Sequence, residues 1–164
     1  MKPDKQQFLQ LIKEHELLIF KVCRIYGHTD HERQDLYQEI MIQLWKGFES
    51  FRGEAKFTTW MYRVAVYTAI SGIRKTKNSK VEYRDPTQIP EPSFHPDDGK
   101  EREQQLAALY DAIKTLDEIS KAIVMLYLDD KSYQEMEDIL GINEAHLRVK
   151  MSRIKERLKK LTKN

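Results

Sequence analysis

Apolar side chains recur three and four positions apart over most of the chain, the spacing of helices that bury one face. A first helix is predicted over Asp4 to Tyr26, and a second over about Asp30 to Trp45, where Leu36, Ile40 and Leu44 repeat every fourth residue. After the break FESFRGEAK a third helix begins near Phe57, with Thr58 and Thr59 available to its first turn, and runs to about Lys75. Its core side is read as Phe57, Met61, Val64, Ala65 and Thr68, yet Tyr62, Val66, Ile70 and Ile73 leave the other side apolar too. A helix apolar nearly all round is either sandwiched between neighbours or keeps one face for a ligand.

The rhythm stops in RDPTQIPEPSFHPDDGK, which holds four of the five prolines and reads as a linker. It returns as two stripes, Leu106, Leu109, Ile113 and Leu116, then Ile123, Leu126 and Tyr127. In the following KSYQEMEDILGINEAHLRVKMSRIKERLKKL, Ser132 can cap a short helix with Glu135 as its capping-box partner, Gly141 breaks it, and Asn143 can cap a longer one. A helix of about eight residues, a turn containing Gly and a basic amphipathic helix make the helix-turn-helix pattern. The fold class is therefore all-α: two small helical domains, residues 1–79 and 105–164, joined by a Pro-rich acidic linker over 80–104.

On the last helix Leu147, Met151, Ile154, Leu158 and Leu161 fall within a stripe of about 80° that must face the core. His146, Lys150, Arg153 and Arg157 form one flank, and Arg148, Lys155 and Lys159 the other. Between the flanks, opposite the core, lie Ala145, Val149, Ser152 and Glu156. A ridge of small side chains between two basic flanks suits a DNA major groove, where the ridge approaches base edges and the flanks reach the phosphates. A coiled-coil helix would more usually alternate the signs of its flanking charges.

Charge sharpens this picture. The chain of 164 residues has a net charge of only +2, but the average conceals segregation. Residues 52–80 carry seven bases and one acid, residues 146–164 eight bases and one acid, and residues 81–105 between them three bases and seven acids. Two basic patches thus flank an acidic hinge, and polyanion binding belongs to the patches. A lone Cys23 in an apolar run reads as a buried structural thiol, and one cysteine excludes a disulfide scaffold. The longest uncharged apolar stretch, about Val64 to Ile73, is well short of the roughly 20 residues of a spanning helix, and no signal-peptide core opens the chain. The expectation is a cytoplasmic protein with no membrane insertion.

Half of the sixteen aromatic residues, Tyr37, Trp45, Phe48, Phe51, Phe57, Trp60, Tyr62 and Tyr67, crowd into less than a fifth of the chain. Interleaved with Arg52, Lys56, Arg63 and Arg74, they have the composition of a platform for single-stranded nucleic acid. Trp45, Phe48 and Phe57 are assigned to the core, and Arg52, Trp60, Arg63 and Tyr67 to the functional surface. His28, Asp30, His31 and Glu32 form the one cluster with metal-ligand residue types, in a short interhelical turn where capping accounts for them. No metal, no cofactor and no enzymatic activity is expected.

With both halves laid out, the chain resembles a bacterial RNA polymerase sigma factor of the extracytoplasmic-function type. DLYQEIMIQLWKGFESFRGEAKFTTWMYRVAVYTAI resembles the polymerase-binding and promoter-melting region, and SYQEMEDILGINEAHLRVKMSRIKERLKKL the helix-turn-helix that reads the minus-thirty-five element. The resemblance implies that Asp35, Leu36, Gln38, Glu39 and Trp45 dock on core polymerase. It implies that Phe51, Arg52, Lys56, Phe57, Thr59, Trp60, Arg63, Tyr67 and Arg74 serve the minus-ten element and its melted strand. It implies that Asn143, His146, Arg148, Val149, Lys150, Ser152 and Arg153 serve the minus-thirty-five element as duplex, with an anti-sigma factor as a further partner. The chain departs from the family at base-reading positions, with Tyr67 for a usual Asn, Ser71 for a customary Asp and Val149 for a small polar residue. The alternative is a helix-turn-helix transcriptional regulator whose N-terminal bundle senses a ligand or dimerises; it leaves the first basic, aromatic-rich patch unexplained.

Overall fold

The computed structural model describes residues 4–79 and 100–162, and among them finds eight α-helices and no strand. They divide into two compact units, α1 to α4 and α5 to α8, in agreement with an all-α, two-part chain. Most of the linker stretch, residues 80–99, lies outside the described residues; its last five residues, 100–104, belong to the first helix of the second unit.

In the first unit the segment expected as one helix is two, α1 (Lys5–Glu14) and α2 (Glu16–Tyr26), parted at His15. The His15 N–H is shared between the carbonyls of Leu11 and Ile12 at 3.2 and 3.1 Å, and the chain turns there. Periodicity is blind to this break because the stripe keeps its phase: Phe8, Ile12, Ile19, Cys23 and Tyr26 stay within about 60° on one wheel and are all buried. The turn puts the His15 ring 5.7 Å from that of Phe57.

Helix α3 (Asp30–Phe48) starts where Thr29 accepts from the Glu32 N–H at 3.1 Å, while the Glu32 carboxylate accepts from the His28 N–H at 2.7 Å. Asp30 pairs with Arg33 at 3.6 Å and His31 with Asp35 at 3.2 Å, so the residues of metal-ligand type hold a helix start. Arg33 also donates to the Gly27 carbonyl at 3.2 Å. A Cβ on Gly27 would lie 2.6 Å from the Arg33 side chain and 2.9 Å from the Cys23 carbonyl, so this turn requires glycine.

Helix α4 (Phe57–Ser79) packs on both α2 and α3. Its buried residues are Thr59, Met61, Tyr62, Ala65, Val66, Ala69 and Ile70, while Phe57, Val64 and Thr68 are only half-buried. The core side is thus rotated from the expected one toward Tyr62 and Val66. Of the two explanations for a helix apolar nearly all round, sandwiching accounts for most of it: burial of two faces against α2 and α3 stabilises by about 25 cal/mol per Å² of apolar surface.

The second unit is organised around α6 (Glu118–Leu128), in which all six residues from Lys121 to Leu126 are buried. Around it stand α5 (Lys100–Lys114), α7 (Tyr133–Leu140) and α8 (Glu144–Leu161). Ser132 and Glu135 form the reciprocal capping box, Gly141 closes α7 in the left-handed conformation at φ 72°, and the Asn143 side chain accepts from the Ala145 N–H at 2.7 Å. Leu147, Met151 and Ile154 are buried as the wheel requires. The stripes fray at their ends: Leu106 and Leu161 are both 46% exposed, and Tyr127 is 38% exposed rather than part of the core.

Cys23 is 4% exposed, and burial pushes its thiol up to about 12, against a smaller opposing effect of Arg33. The native chain should therefore resist iodoacetamide at pH 9 and react once unfolded; rapid labelling of the native chain would contradict this burial. Because the folded chain holds the thiol proton more tightly than the unfolded one, this group's contribution to stability is present below about pH 9. It falls as the pH rises from there toward 12.

Candidate nucleic-acid interface

Between α3 and α4 the chain turns through residues 49–56, where Gly53 takes φ 75°, a conformation that disfavours other side chains. The turn folds Phe51 back over the start of α4, with its ring 5.1 Å from Trp60 and 5.7 Å from Phe57. Phe57 and Trp60 are 5.5 Å apart, and Phe48 supports both from below at 6.5 Å. The Trp60 ring lies flush on α3 because Gly47 is there: a Cβ on Gly47 would sit 3.1 Å from the indole.

The result is a cavity of about 350 Å³ lined by Ser50, Phe51, Arg52, Glu54, Ala55, Trp60 and Arg63. Aromatic walls, two guanidinium groups and one carboxylate at the rim form a concave surface on which an unpaired base can stack while its edge is hydrogen-bonded. Four residues singled out from the sequence, Phe51, Arg52, Trp60 and Arg63, meet here. Glu54 and Ala55 belong to the loop Phe51 to Phe57, which the resemblance implies for base capture, and Ser50 just before it was not singled out; the loop turned at Gly53 carries all three in, and no periodic pattern signals a loop conformation.

Of the other residues in this group, Lys56 is exposed beside the turn, and Phe57 stands behind the aromatic wall. Thr59 departs from the expectation: it is 7% exposed and buried within the bundle, where its side chain packs instead of facing a ligand. Tyr67, 47% exposed, and the exposed Arg74 lie farther along α4. Trp60, Arg63, Tyr67 and Arg74 fall within about 60° on the helical wheel, so the cavity continues into a stripe about 20 Å long. It is the one side of α4 that packing against α2 and α3 leaves open.

On α3, Asp35, Gln38 and Glu39 are exposed on one face, with Gln43 donating to Glu39 at 3.0 Å; Leu36 is half-buried toward the core. Trp45, assigned to the core, is 40% exposed, with one edge packed on Phe8 at 5.1 Å. Ile42, which the sequence reading passed over, is 46% exposed in the middle of the same face. An acidic, polar surface with an exposed apolar strip is suited to a basic protein partner, since apolar area supplies affinity and charge supplies register.

In the second unit Ala145, Val149, Ser152 and Glu156 are all exposed, opposite the buried stripe of α8. His146 and Arg153 are exposed and Lys150 half-buried along one flank; Asn143 is engaged as the helix cap. On the other flank Arg148 donates to Glu144 at 2.8 Å and lies 4.5 Å over the ring of Tyr133. Lys155 lies 4.5 Å over the ring of Tyr127.

Comparison with known proteins follows the same division. Residues 11–79 match the family model described as Sigma-70 region 2, and residues 106–158 match Sigma-70, region 4. The ECF RNA polymerase sigma factor SigW of Bacillus subtilis strain 168 is 28% identical over 170 residues, spanning 97% of this chain and 90% of that protein. The ECF RNA polymerase sigma-E factor of Escherichia coli K12 is 28% identical over 166 residues, 94% of this chain and 86% of that one. Among solved structures, CnrH in complex with the cytosolic domain of CnrY superposes with a TM-score of 0.69 at 17% identity, over 96% of this chain and 88% of that chain. The sigma factor RpoE, in complex with the anti-sigma factor NepR from Bartonella quintana, gives 0.65 at 19% identity, over 93% and 96%. These two likenesses concern the fold.

The aromatic wall can be tested directly. In a Trp45→Phe background Trp60 is the remaining tryptophan, and Phe51→Ala should shift its emission to longer wavelength as the ring gains water. The same change should cost about 0.5 to 1.5 kcal/mol of stability from the lost ring contacts. An unshifted emission would mean that Phe51 does not cover Trp60.

Proposed function

The chain belongs to the sigma-70 family of RNA polymerase sigma factors, in its extracytoplasmic-function branch, and from that membership we propose which residues perform each of its tasks. A sigma factor is not an enzyme: it binds core RNA polymerase and directs it to promoters, and the polymerase performs the chemistry. The observation that carries the residue assignment is the pocket formed by Phe51, Arg52, Trp60 and Arg63, which falls inside the stretch matched to region 2. A regulator with a sensing or dimerising N-terminal bundle leaves the match of residues 11–79 to Sigma-70 region 2 unexplained.

In this reading the domains are residues 1–79, which engage polymerase and the minus-ten element, and 105–164, which read the minus-thirty-five element, with 80–104 between them, of which 100–104 already form the start of α5. Asp35, Gln38, Glu39 and Trp45, joined by Ile42, meet core polymerase. A base of the minus-ten element leaves the duplex and enters the pocket between Phe51 and Trp60. Extruding a base costs a few kcal/mol, and stacking on an aromatic ring returns about 1 to 3 kcal/mol, so phosphate contacts from Arg52, Lys56 and Arg74 complete the balance. Tyr67 extends the stripe along which the melted strand runs. Thr59, being buried, supports the pocket from within.

Upstream, α8 enters the major groove with Arg148, Val149 and Ser152 toward base edges and His146, Lys150 and Arg153 toward phosphates; Asn143 sets the helix start. The partners are core polymerase, promoter DNA as duplex and melted strand, and an anti-sigma factor that masks these surfaces. The sigma factor RpoE is in complex with the anti-sigma factor NepR in a solved structure of similar fold. The site of action is the cytoplasm, where polymerase works; among the described residues no helix is long and apolar enough to cross a membrane.

Run-off transcription with purified core polymerase on genomic fragments should yield transcripts absent with core alone, and no promoter-specific transcript would overturn the assignment. Arg148→Ala should weaken binding to the preferred minus-thirty-five sequence by about 1 to 3 kcal/mol and relax specificity there, measured by competition between intact and base-substituted promoters. Equal losses on scrambled DNA would make Arg148 a phosphate contact.

A further inference from the structure

The two flanks of α8 are built differently. On one, His146, Arg153 and Arg157 extend into solvent. On the other, two cations seven residues apart, Arg148 and Lys155, each lie over an aromatic ring at 4.5 Å. Seven residues are two helical turns, about 10.5 Å along one side of the helix. The rings come from either side of a single tight turn, Tyr127 near the end of α6 and Tyr133 at the first position of α7. Between them Asp130 adopts φ 59°, Lys131 donates from its N–H to the Leu126 carbonyl at 3.0 Å, and the Ser132 capping box fixes the start of α7. One rigid turn thus presents two rings at the spacing of two cations.

We propose that Tyr133 and Tyr127 are positioning residues that hold Arg148 and Lys155 in the orientation in which α8 meets duplex DNA. The proposal rests on the reading of α8 as the helix that contacts the upstream promoter element. A solvent-exposed arginine must give up side-chain freedom to hold one geometry, and a planar guanidinium reads a guanine edge only in one plane. The Arg148 guanidinium carbon lies 4.5 Å over the Tyr133 ring, a contact that holds the cation without using its N–H donors, which stay available to an edge. Glu144 takes one of them at 2.8 Å and restrains the side chain from a second side. Lys155 has no such plane, so the ring beneath it sets position alone, which suits a phosphate contact. The same device therefore acts differently at its two ends: on discrimination at Arg148, on affinity at Lys155.

The test uses the chain assembled with core polymerase and a promoter recovered by run-off transcription, offered with its upstream element intact or scrambled and its downstream element unchanged. Tyr133→Leu should lower the preference for the intact element about two- to fivefold, the range of a cation–ring contact at an exposed site, while Tyr133→Phe keeps it. In an Arg148→Ala background, Tyr133→Leu should remove nothing further. Tyr127→Leu should weaken binding to both fragments alike. Thermal unfolding of each variant separates positioning from folding; should Tyr133→Leu unfold early, Tyr133→Met keeps the bulk without the ring face and serves the same comparison. An unchanged preference in a folded ring-less variant, or losses that add to those of Arg148→Ala, overturns the positioning role and leaves the reading of α8 intact. A parent chain that does not distinguish intact from scrambled upstream elements overturns that reading, and the positioning role with it.

Discussion

Helix α4 has one circumference to share among three tasks, and the first unit depends on how it is divided. Two sides are buried, with Tyr62, Met61, Val66 and Ile70 packed among α2 and α3. The remaining stripe, from Trp60 through Arg63 and Tyr67 to Arg74, is left open, and it is the surface we propose for nucleic acid. Burial on two sides makes the helix rigid, and rigidity matters because a stacking site is only as selective as its rings are fixed. The pocket is anchored in the same way: Phe51 folds onto Trp60, Trp60 rests on Gly47, and Phe48 and Phe57 close it from behind. The loop contributes one ring and the rim, while the helices fix the floor.

The second unit solves a different problem. A recognition helix must show most of its circumference to DNA and still be held, and α8 is held by only Leu147, Met151 and Ile154 in full burial. Local devices make up the difference: the Ser132 capping box, the left-handed Gly141, the Asn143 cap and the two tyrosine rings under Arg148 and Lys155. Each is worth of the order of 1 kcal/mol or less, but together they fix direction and register, which packing on one narrow stripe leaves loose.

Charge ties the units to a common ligand. The basic runs at 52–80 and 146–164 carry seven and eight cations, and the acidic run between them returns the whole chain to +2. Two modest sites on one chain reach an affinity neither has alone, provided both can be engaged at once, and phosphate contacts make that affinity sensitive to salt. The near-neutral total limits indiscriminate attachment to polyanions, which a uniformly basic chain of this size would show.

Much of this was legible in the residues themselves. The start of α4 near Phe57, the capping pair Ser132 and Glu135, the break at Gly141 and the outward ridge Ala145, Val149, Ser152 and Glu156 all follow from local chemistry and a 3.6-residue period. So does the clustering of Phe51, Arg52, Trp60 and Arg63, though only as composition. What needed the tertiary structure is whatever depends on which neighbour lies opposite. The break at His15 keeps the apolar phase and so leaves no trace in the pattern. The core side of α4 turned toward Tyr62 because two partners flank it, Thr59 went inside, Trp45 came half out, and Ile42 surfaced on a face read as polar. Ser50, Glu54 and Ala55 entered the pocket through a loop conformation that periodicity does not encode. The rings under Arg148 and Lys155 come from residues 15 and 28 positions away, a pairing no spacing rule contains. Sequence determined the elements and their chemistry because both are local; the structure decided rotation, burial and pairing, because those are set by contact with residues far along the chain.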